Sequence, residues 1–397
     1  MTEGTRVTEA RDEVLIVEGG DPLRGRLRVS GSKNASLPIM AACLLTRERV
    51  RLSNIPDVAD TAVMREILES LGCRVEGGVR EGLEITAEAE PGSEVSDSLG
   101  RRMRASVVLL GALLARTGRA RLPRPGGDEI GARRVEQHVR GLRQMGAEVT
   151  EEDGHFQARA GRLRGARIIL DLPTVTGTEN LMMAAVLAKG RTEIFNAARE
   201  PHVQDLARFL NCLGAHIRGA GTDEIVVDGV DGLGGGEHRV ISDYLEAGTY
   251  AMAVAATGGE VRIECSPPHD LTTVLLKLQQ AGAEIEIEGE AILVRGPGWG
   301  RLRPVDLTTW VHPGFPTDLQ AQYMAMMTQA AGRSVISEYI FENRFQHVPE
   351  LVRLGADVEV SGRTATVTGP ARLRGGEATI PDIRSGAALV IAALCAE

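Results

Sequence analysis

Stretches such as TAVMREILESL and PHVQDLARFLNCL place apolar residues at three- and four-residue intervals, the period of a helix with one buried face. Each runs into a short phrase with a glycine in its middle. The copies are SLGCRVE (70–76), QMGAEVT (144–150), CLGAHIR (212–218), QAGAEIE (280–286) and RLGADVEV (353–360). Their glycines, Gly72, Gly146, Gly214, Gly282 and Gly355, are 74, 68, 68 and 73 residues apart, which marks a repeated supersecondary unit. A glycine at the end of an amphipathic helix serves as its left-handed cap. Beyond each glycine the chain alternates apolar and polar residues, as in EIVVDGV and VEVSGRTATVTG, and reads as strands joined by tight turns.

Each unit is therefore a helix, a strand pair, and a further strand and helix, in an α/β fold. The runs ASVVLLGALLA (105–115) and LMMAAVLA (181–188) are apolar all round, which predicts helices buried beneath the sheets. The chain ends at LVIAALCAE, in what the period makes the penultimate helix of a sixth unit. That unit is expected to be incomplete, by truncation or by divergence.

With 397 residues and 43% hydrophobic content, the chain is long enough for two cores. A net charge of -9 argues against a nucleic-acid binder but leaves room for a local basic cleft that takes a small anion. The five cysteines are scattered, without CxxC pairs or metal-ligand spacing, which predicts reduced thiols, a cytoplasmic location and no metal site. The polar N-terminus lacks the layout of a signal peptide, and its first dozen residues are expected to form a mobile tail.

Lys33, one of three lysines in the chain, stands in a Gly/Ser-flanked turn, SGSKNASLP (30–38), ahead of an apolar helix. An ammonium holds phosphate as a point charge, and a helix N-terminus adds backbone N–H groups and a positive dipole end. Taken alone, Lys33 reads more readily as a solvated surface charge, because lysines are mostly exposed. Asp318 in FPTD has two readings as well: a carboxylate for proton transfer, or the N-cap of the helix LQAQYMAMM, which in turn reads as core.

SGSKNASLP, MRAS (103–106), PGGDEIGAR (125–133), NAAREP (196–201), HPGFPTDLQAQ (312–322), FENRFQHVPEL (341–351) and PDIRSGAALV (381–390) stand in the order and spacing of the enolpyruvyl transferases. The chain resembles that family from about residue 14 onward, and most closely its branch acting on a sugar nucleotide in peptidoglycan precursor synthesis. The resemblance implies two inverted α/β domains built from six repeated units, with the active site in the cleft between them. Residues 1–33 and 242–397 would form one domain and residues 34–241 the other. The implied reaction moves the enolpyruvyl group of phosphoenolpyruvate to the 3'-hydroxyl of UDP-N-acetylglucosamine and releases phosphate through a tetrahedral intermediate, with no metal or organic cofactor.

By the same resemblance Lys33 binds phosphoenolpyruvate and Asn34 the sugar. Arg104, Arg133, Arg344 and Arg384 hold anionic groups, Thr174, Val175 and Thr176 meet the diphosphate, Ile340 lines the substrate, and Asp318 receives the hydroxyl proton. Paired surface arginines are the bland alternative for the four guanidinium groups. Asp128 stands where most relatives have a cysteine that protonates C3 of phosphoenolpyruvate and is alkylated by fosfomycin. A thiol is protonated at neutral pH and a carboxyl is not, so Asp128 in that role needs its proton retained above the ordinary carboxylate range. Insensitivity to fosfomycin is expected. Arg134 and Glu136 replace a usual proline and aspartate, and a further arginine of the family falls beyond residue 397. Another enolpyruvyl acceptor, such as a shikimate-type one, or a non-catalytic sugar-nucleotide binder remain alternatives, and RNA 3'-phosphate cyclase a distant one.

Overall fold

The computed structural model describes residues 14–78, 81–264 and 268–397, so the expected tail lies outside the described residues. The five repeat helices, Ala59–Ser70, Glu136–Gln144, Pro201–Cys212, Thr272–Gln280 and Val348–Arg353, all end in one way. The repeat glycine two residues on takes φ between 90° and 103°, a conformation that costs a side-chain-bearing residue dearly. The N–H of the next residue then returns to the carbonyl five positions back, Cys73 to Leu68 at 2.9 Å and Ala147, Ala215, Ala283 and Ala356 to their counterparts at 3.0 Å. This is the left-handed glycine cap the repeat predicts.

An antiparallel hairpin comes after each cap, from Arg74–Gly78 with Gly82–Thr86 in the first copy to Asp357–Ser361 with Thr364–Gly369 in the fifth. The strand ahead of each repeat helix joins the hairpin, giving five sheets. Four of them add a parallel fourth strand. Leu23–Arg28 fills that place beside Gly259–Glu264, and Gly236–Arg239 beside Val50–Ser53.

The buried apolar side chains fall into two clusters, one drawn from residues 35 to 240 and the other from Val29 and residues 244 to 392. Three largely buried helices centre the first: Lys33–Ala42, Leu109–Thr117 and Val175–Val186. Tyr244–Thr257, Gln320–Met327 and Ile383–Leu394 centre the second and pack against one another. The apolar runs and the Met/Ala-rich segment are thus core, as their lack of a polar face implies.

The chain crosses between the clusters twice, and the two crossings are paired. Gly31 bridges Ser242, Ser32 N donates to Ile241 O (2.8 Å) and Asp243 N donates to Ser30 O (2.9 Å). A Cβ on Gly31 would fall 1.5 Å from the carbonyl oxygen of Asn54, so the crossing closes only around glycine.

Inside the first cluster, Leu109–Thr117 lies against Val175–Val186 where Gly111 faces Asn180. The Asn180 carboxamide accepts from Gly111 N (2.6 Å) and donates to Val107 O (2.7 Å). It thereby spans the two backbone groups that an uninterrupted helix would join directly. Gly111→Ala would set a Cβ 2.2 Å from Asn180 O, a backbone atom that cannot swing aside. The expected loss is about 2 kcal/mol, read as a fall of several degrees in the thermal unfolding midpoint.

Candidate active site

Side chains from both clusters meet around Asp318. Its segment enters the core as a short turn, Thr317–Leu319, before the helix Gln320–Met327, and Leu319, not Asp318, is that helix's N-cap. The capping reading of Asp318 is therefore corrected. Its Oδ1 accepts from Arg344 Nη2 at 2.8 Å and its Oδ2 from Arg384 Nη2 at 2.9 Å. Desolvation raises the carboxyl, but Arg384, Arg344 and Lys33 together outweigh it and hold Asp318 well below the usual carboxylate range.

Two further carboxylates position these arginines. Asp382 caps the helix Ile383–Leu394 by accepting from Arg384 N (2.9 Å) and Ser385 N (3.2 Å), which starts the helix with the Arg384 side chain at Asp318. Glu338 is buried, accepting from Thr317 Oγ1 (2.9 Å) through one oxygen and from Ile340 N (2.7 Å) and Phe341 N (3.1 Å) through the other. It ties the turn that carries Asp318 to the turn that carries Arg344 and half-buried Ile340. The Arg344 guanidinium also lies 5.7 Å from the Phe341 ring centroid. Arg344 and Arg384 are thus not surface ion pairs: only 3% and 19% of their side chains are exposed.

Lys33 is the first residue of the helix Lys33–Ala42 and not part of a turn ahead of it, since Ser32 caps that helix by accepting from Ala35 N. Its Nζ pairs with Asp60 Oδ2 at 3.0 Å, a partner the sequence did not signal. Asn34, half-buried, comes next in the same first turn. Arg133 faces Asp318, Asp128 and Arg344; desolvation lowers its pKa, partly offset by the two aspartates. Arg104, in the turn Arg104–Val108, donates to Arg133 O, and burial together with the charges of Arg133 and Arg124 brings it down to about 10.

Asp128 is half-buried on the glycine-rich loop, and that loop is fastened to the second cluster. Ala132 N donates to Glu342 Oε1 (2.7 Å), Asn343 N to Ile130 O (3.1 Å), and Asn343 Nδ2 and Gln346 Nε2 to Glu129 O (2.9 and 2.6 Å). At Gly131 (φ 142°) a Cβ would meet the Glu342 carboxylate at 2.6 Å. On the outer side, Arg104, Arg133, Arg134, Glu136, Gln137 and Asp171 border a cleft of about 940 Å³. Thr174, Val175 and Thr176 open the helix Val175–Val186, with Thr174 as its N-cap. No group of three or more metal-ligating side chains occurs among the described residues.

The chain matches the family profile described as EPSP synthase (3-phosphoshikimate 1-carboxyvinyltransferase) over residues 17–397. It is 50% identical over 382 residues to the UDP-N-acetylglucosamine 1-carboxyvinyltransferase of Sorangium cellulosum, covering 96% of this chain and 90% of that one. Identity to the enzyme of the same name from Solidesulfovibrio magneticus is 50% over 385 residues, covering 96% and 91%. The structure is similar to that of the enolpyruvyl transferase NikO from Streptomyces tendae, with a TM-score of 0.84 at 26% identity over 96% of this chain and 90% of that one. EPSP synthase from Acinetobacter baumannii shares the fold at a TM-score of 0.72 and 20% identity, over 96% and 91%. The chain belongs to the EPSP synthase family of enolpyruvyl transferases.

Removing the Asp318 charge leaves buried guanidinium groups without their counter-ion. Asp318→Asn is expected to cost about 3 kcal/mol at pH 7, measured by urea denaturation. Because the folded-state pKa is depressed, this contribution is complete above the ordinary aspartate value of about 3.9 and is lost as the pH falls below it. The gap between wild type and variant should accordingly narrow at pH 3.

Proposed function

We propose that this chain transfers the enolpyruvyl group of phosphoenolpyruvate to the 3'-hydroxyl of UDP-N-acetylglucosamine, releasing phosphate, as the first committed step of peptidoglycan precursor synthesis in the cytoplasm. The observation that carries the reading is the half-identity, across nearly the whole chain, to relatives bearing that enzyme's name, joined to the ring of cations around Asp318. Residues 34–241 form one domain and residues 242–397, with the described part of 1–33, the other, with the reaction between them.

In this reading Lys33, Arg344 and Arg384 take the carboxylate and phosphate of phosphoenolpyruvate. Arg104, Arg133 and the start of the helix Val175–Val186 take the nucleotide, with Asn34 and Ile340 against the sugar. A carboxylate clamped by two guanidinium groups is a poor base. When the arginines turn to the phosphoenolpyruvate anion, Asp318 is released to accept the proton of the 3'-hydroxyl, whose oxygen bonds to C2 while C3 gains a proton from Asp128. The tetrahedral adduct then returns a C3 proton to the Asp128 carboxylate as its C2–O bond to phosphate breaks, restoring the double bond, and the departing phosphate carries off the proton that Asp318 received. No metal or organic cofactor enters these steps.

Phosphate release from phosphoenolpyruvate should depend on UDP-N-acetylglucosamine and not respond to shikimate 3-phosphate; the reverse dependence, or none, would overturn the reading. Fosfomycin should leave the wild-type chain active and inactivate Asp128→Cys in a time-dependent manner, because only the thiolate can be alkylated. The wild-type activity optimum should lie at lower pH than that of Asp128→Cys, as the carboxyl is the stronger acid.

A further inference from the structure

His138, in the helix Glu136–Gln144, is buried between Asn180 and Thr176. The direction of every hydrogen bond around it is set by one backbone donor. Gly111 N can only donate, so the Asn180 atom that receives it at 2.6 Å is the carboxamide oxygen. The Asn180 NH2 group therefore faces Val107 O at 2.7 Å and His138 Nδ1 at 2.8 Å, and both of its hydrogens are used. His138 Nδ1 accepts and carries no proton.

The ring is neutral, as its burial and the nearby Arg104 charge also require, and its single proton is on Nε2. That nitrogen lies 3.3 Å from Thr176 Oγ1. The threonine oxygen is then an acceptor toward His138, and its own hydrogen has no protein acceptor among the described residues. Thr176 is half-buried and second in the helix Val175–Val186, where the unpaired N–H groups and positive dipole end lie.

We propose that His138 is a positioning residue that makes Thr176 a hydrogen-bond donor to the diphosphate of the bound nucleotide. This rests on the sugar-nucleotide reading of the chain. The relay begins at Val107 and Gly111, where the turn bearing Arg104 meets the helix Leu109–Thr117, so the phosphate-facing hydroxyl and an anion-binding guanidinium share one buried support. A charged imidazole or the other tautomer would break it: Nδ1–H would oppose the Asn180 amide, and a bare Nε2 would draw the threonine hydrogen inward.

Two measurements on the full chain test this. In nitrogen-15 NMR, His138 should show protonated Nε2 and bare Nδ1 throughout pH 5 to 8; Nδ1–H or a charged ring in that range overturns the assignment. In calorimetry, Thr176→Val should weaken UDP binding about tenfold, the worth of one hydrogen bond to a charged group, and leave uridine binding unchanged. His138→Phe should weaken UDP binding similarly but add nothing in the Thr176→Val background, whereas His138→Gln, which can still donate from its amide, and Thr176→Ser should bind within about threefold of wild type. Additive losses, or equal losses for uridine, overturn the proposal even if His138→Phe must be set aside for misfolding and His138→Gln used in the cycle. A wild-type chain that binds no UDP overturns it together with the nucleotide reading, and the tautomer then shows whether the hydrogen-bond assignment itself was at fault.

Discussion

The Asp318 carboxylate is the counter-ion on which the site depends. Arg344 and Arg384 both donate to it, and Lys33 and Arg133 add positive charge around it. So many cations in a poorly hydrated cleft repel one another and lose hydration, and a lone carboxylate there would itself resist ionisation. Held together, they make a locally positive site in a chain whose net charge is -9. The opposite overall sign is no obstacle, because screened surface charges act weakly over a distance while partly buried ones act at contact.

Rigid elements hold this arrangement in register. Lys33 and Arg384 open buried helices, each started by a side-chain cap, so the direction of each cation is set by where its helix begins. Glu338 locks the turns before and after it, and the carboxamide of Asn180 locks two helices of the first cluster. The glycine-rich loop is held at its end by Arg104, which donates to Arg133 O. Its backbone between Glu129 and Ala132 is bound by Glu342, Asn343 and Gln346 from the second cluster, so the position of the neighbouring Asp128 depends on how the two clusters meet.

Much of this is legible in the sequence, for local reasons. The cap glycines repeat at a near-constant period and act on their own helix, so Gly72 and its four counterparts read as left-handed without knowledge of the fold. All-apolar runs read as buried helices in the same way. Pairings across long separations stay hidden: Lys33 with Asp60, Glu338 with Thr317, and Asn180 with both Gly111 and His138. Nothing in GARRVEQH distinguishes a buried histidine from a surface one. The residues around Asp318 fit the capping rule, and it takes the two arginines, 26 and 66 positions away, to draw its side chain elsewhere. Asp382 stands just ahead of an apolar helix, where the capping rule does find it.

A site made of ion pairs selects its ligand by exchange. Lys33 is satisfied by Asp60, and Arg344 and Arg384 by Asp318, so a ligand that binds there must offer these cations something better than the carboxylates they already hold. A neutral molecule cannot, and a singly charged one gains little, since breaking a desolvated pair leaves a charge uncompensated. A small ligand with both a carboxylate and a phosphate can satisfy all three cations at once. In the proposed reaction the same exchange turns Asp318 from a clamped counter-ion into a free carboxylate, which makes it a poor base while the arginines hold it and a better one once the anion is in place. On that proposal, binding and the readiness of the base are one event, and the arginines assigned to the anion suppress proton transfer ahead of it.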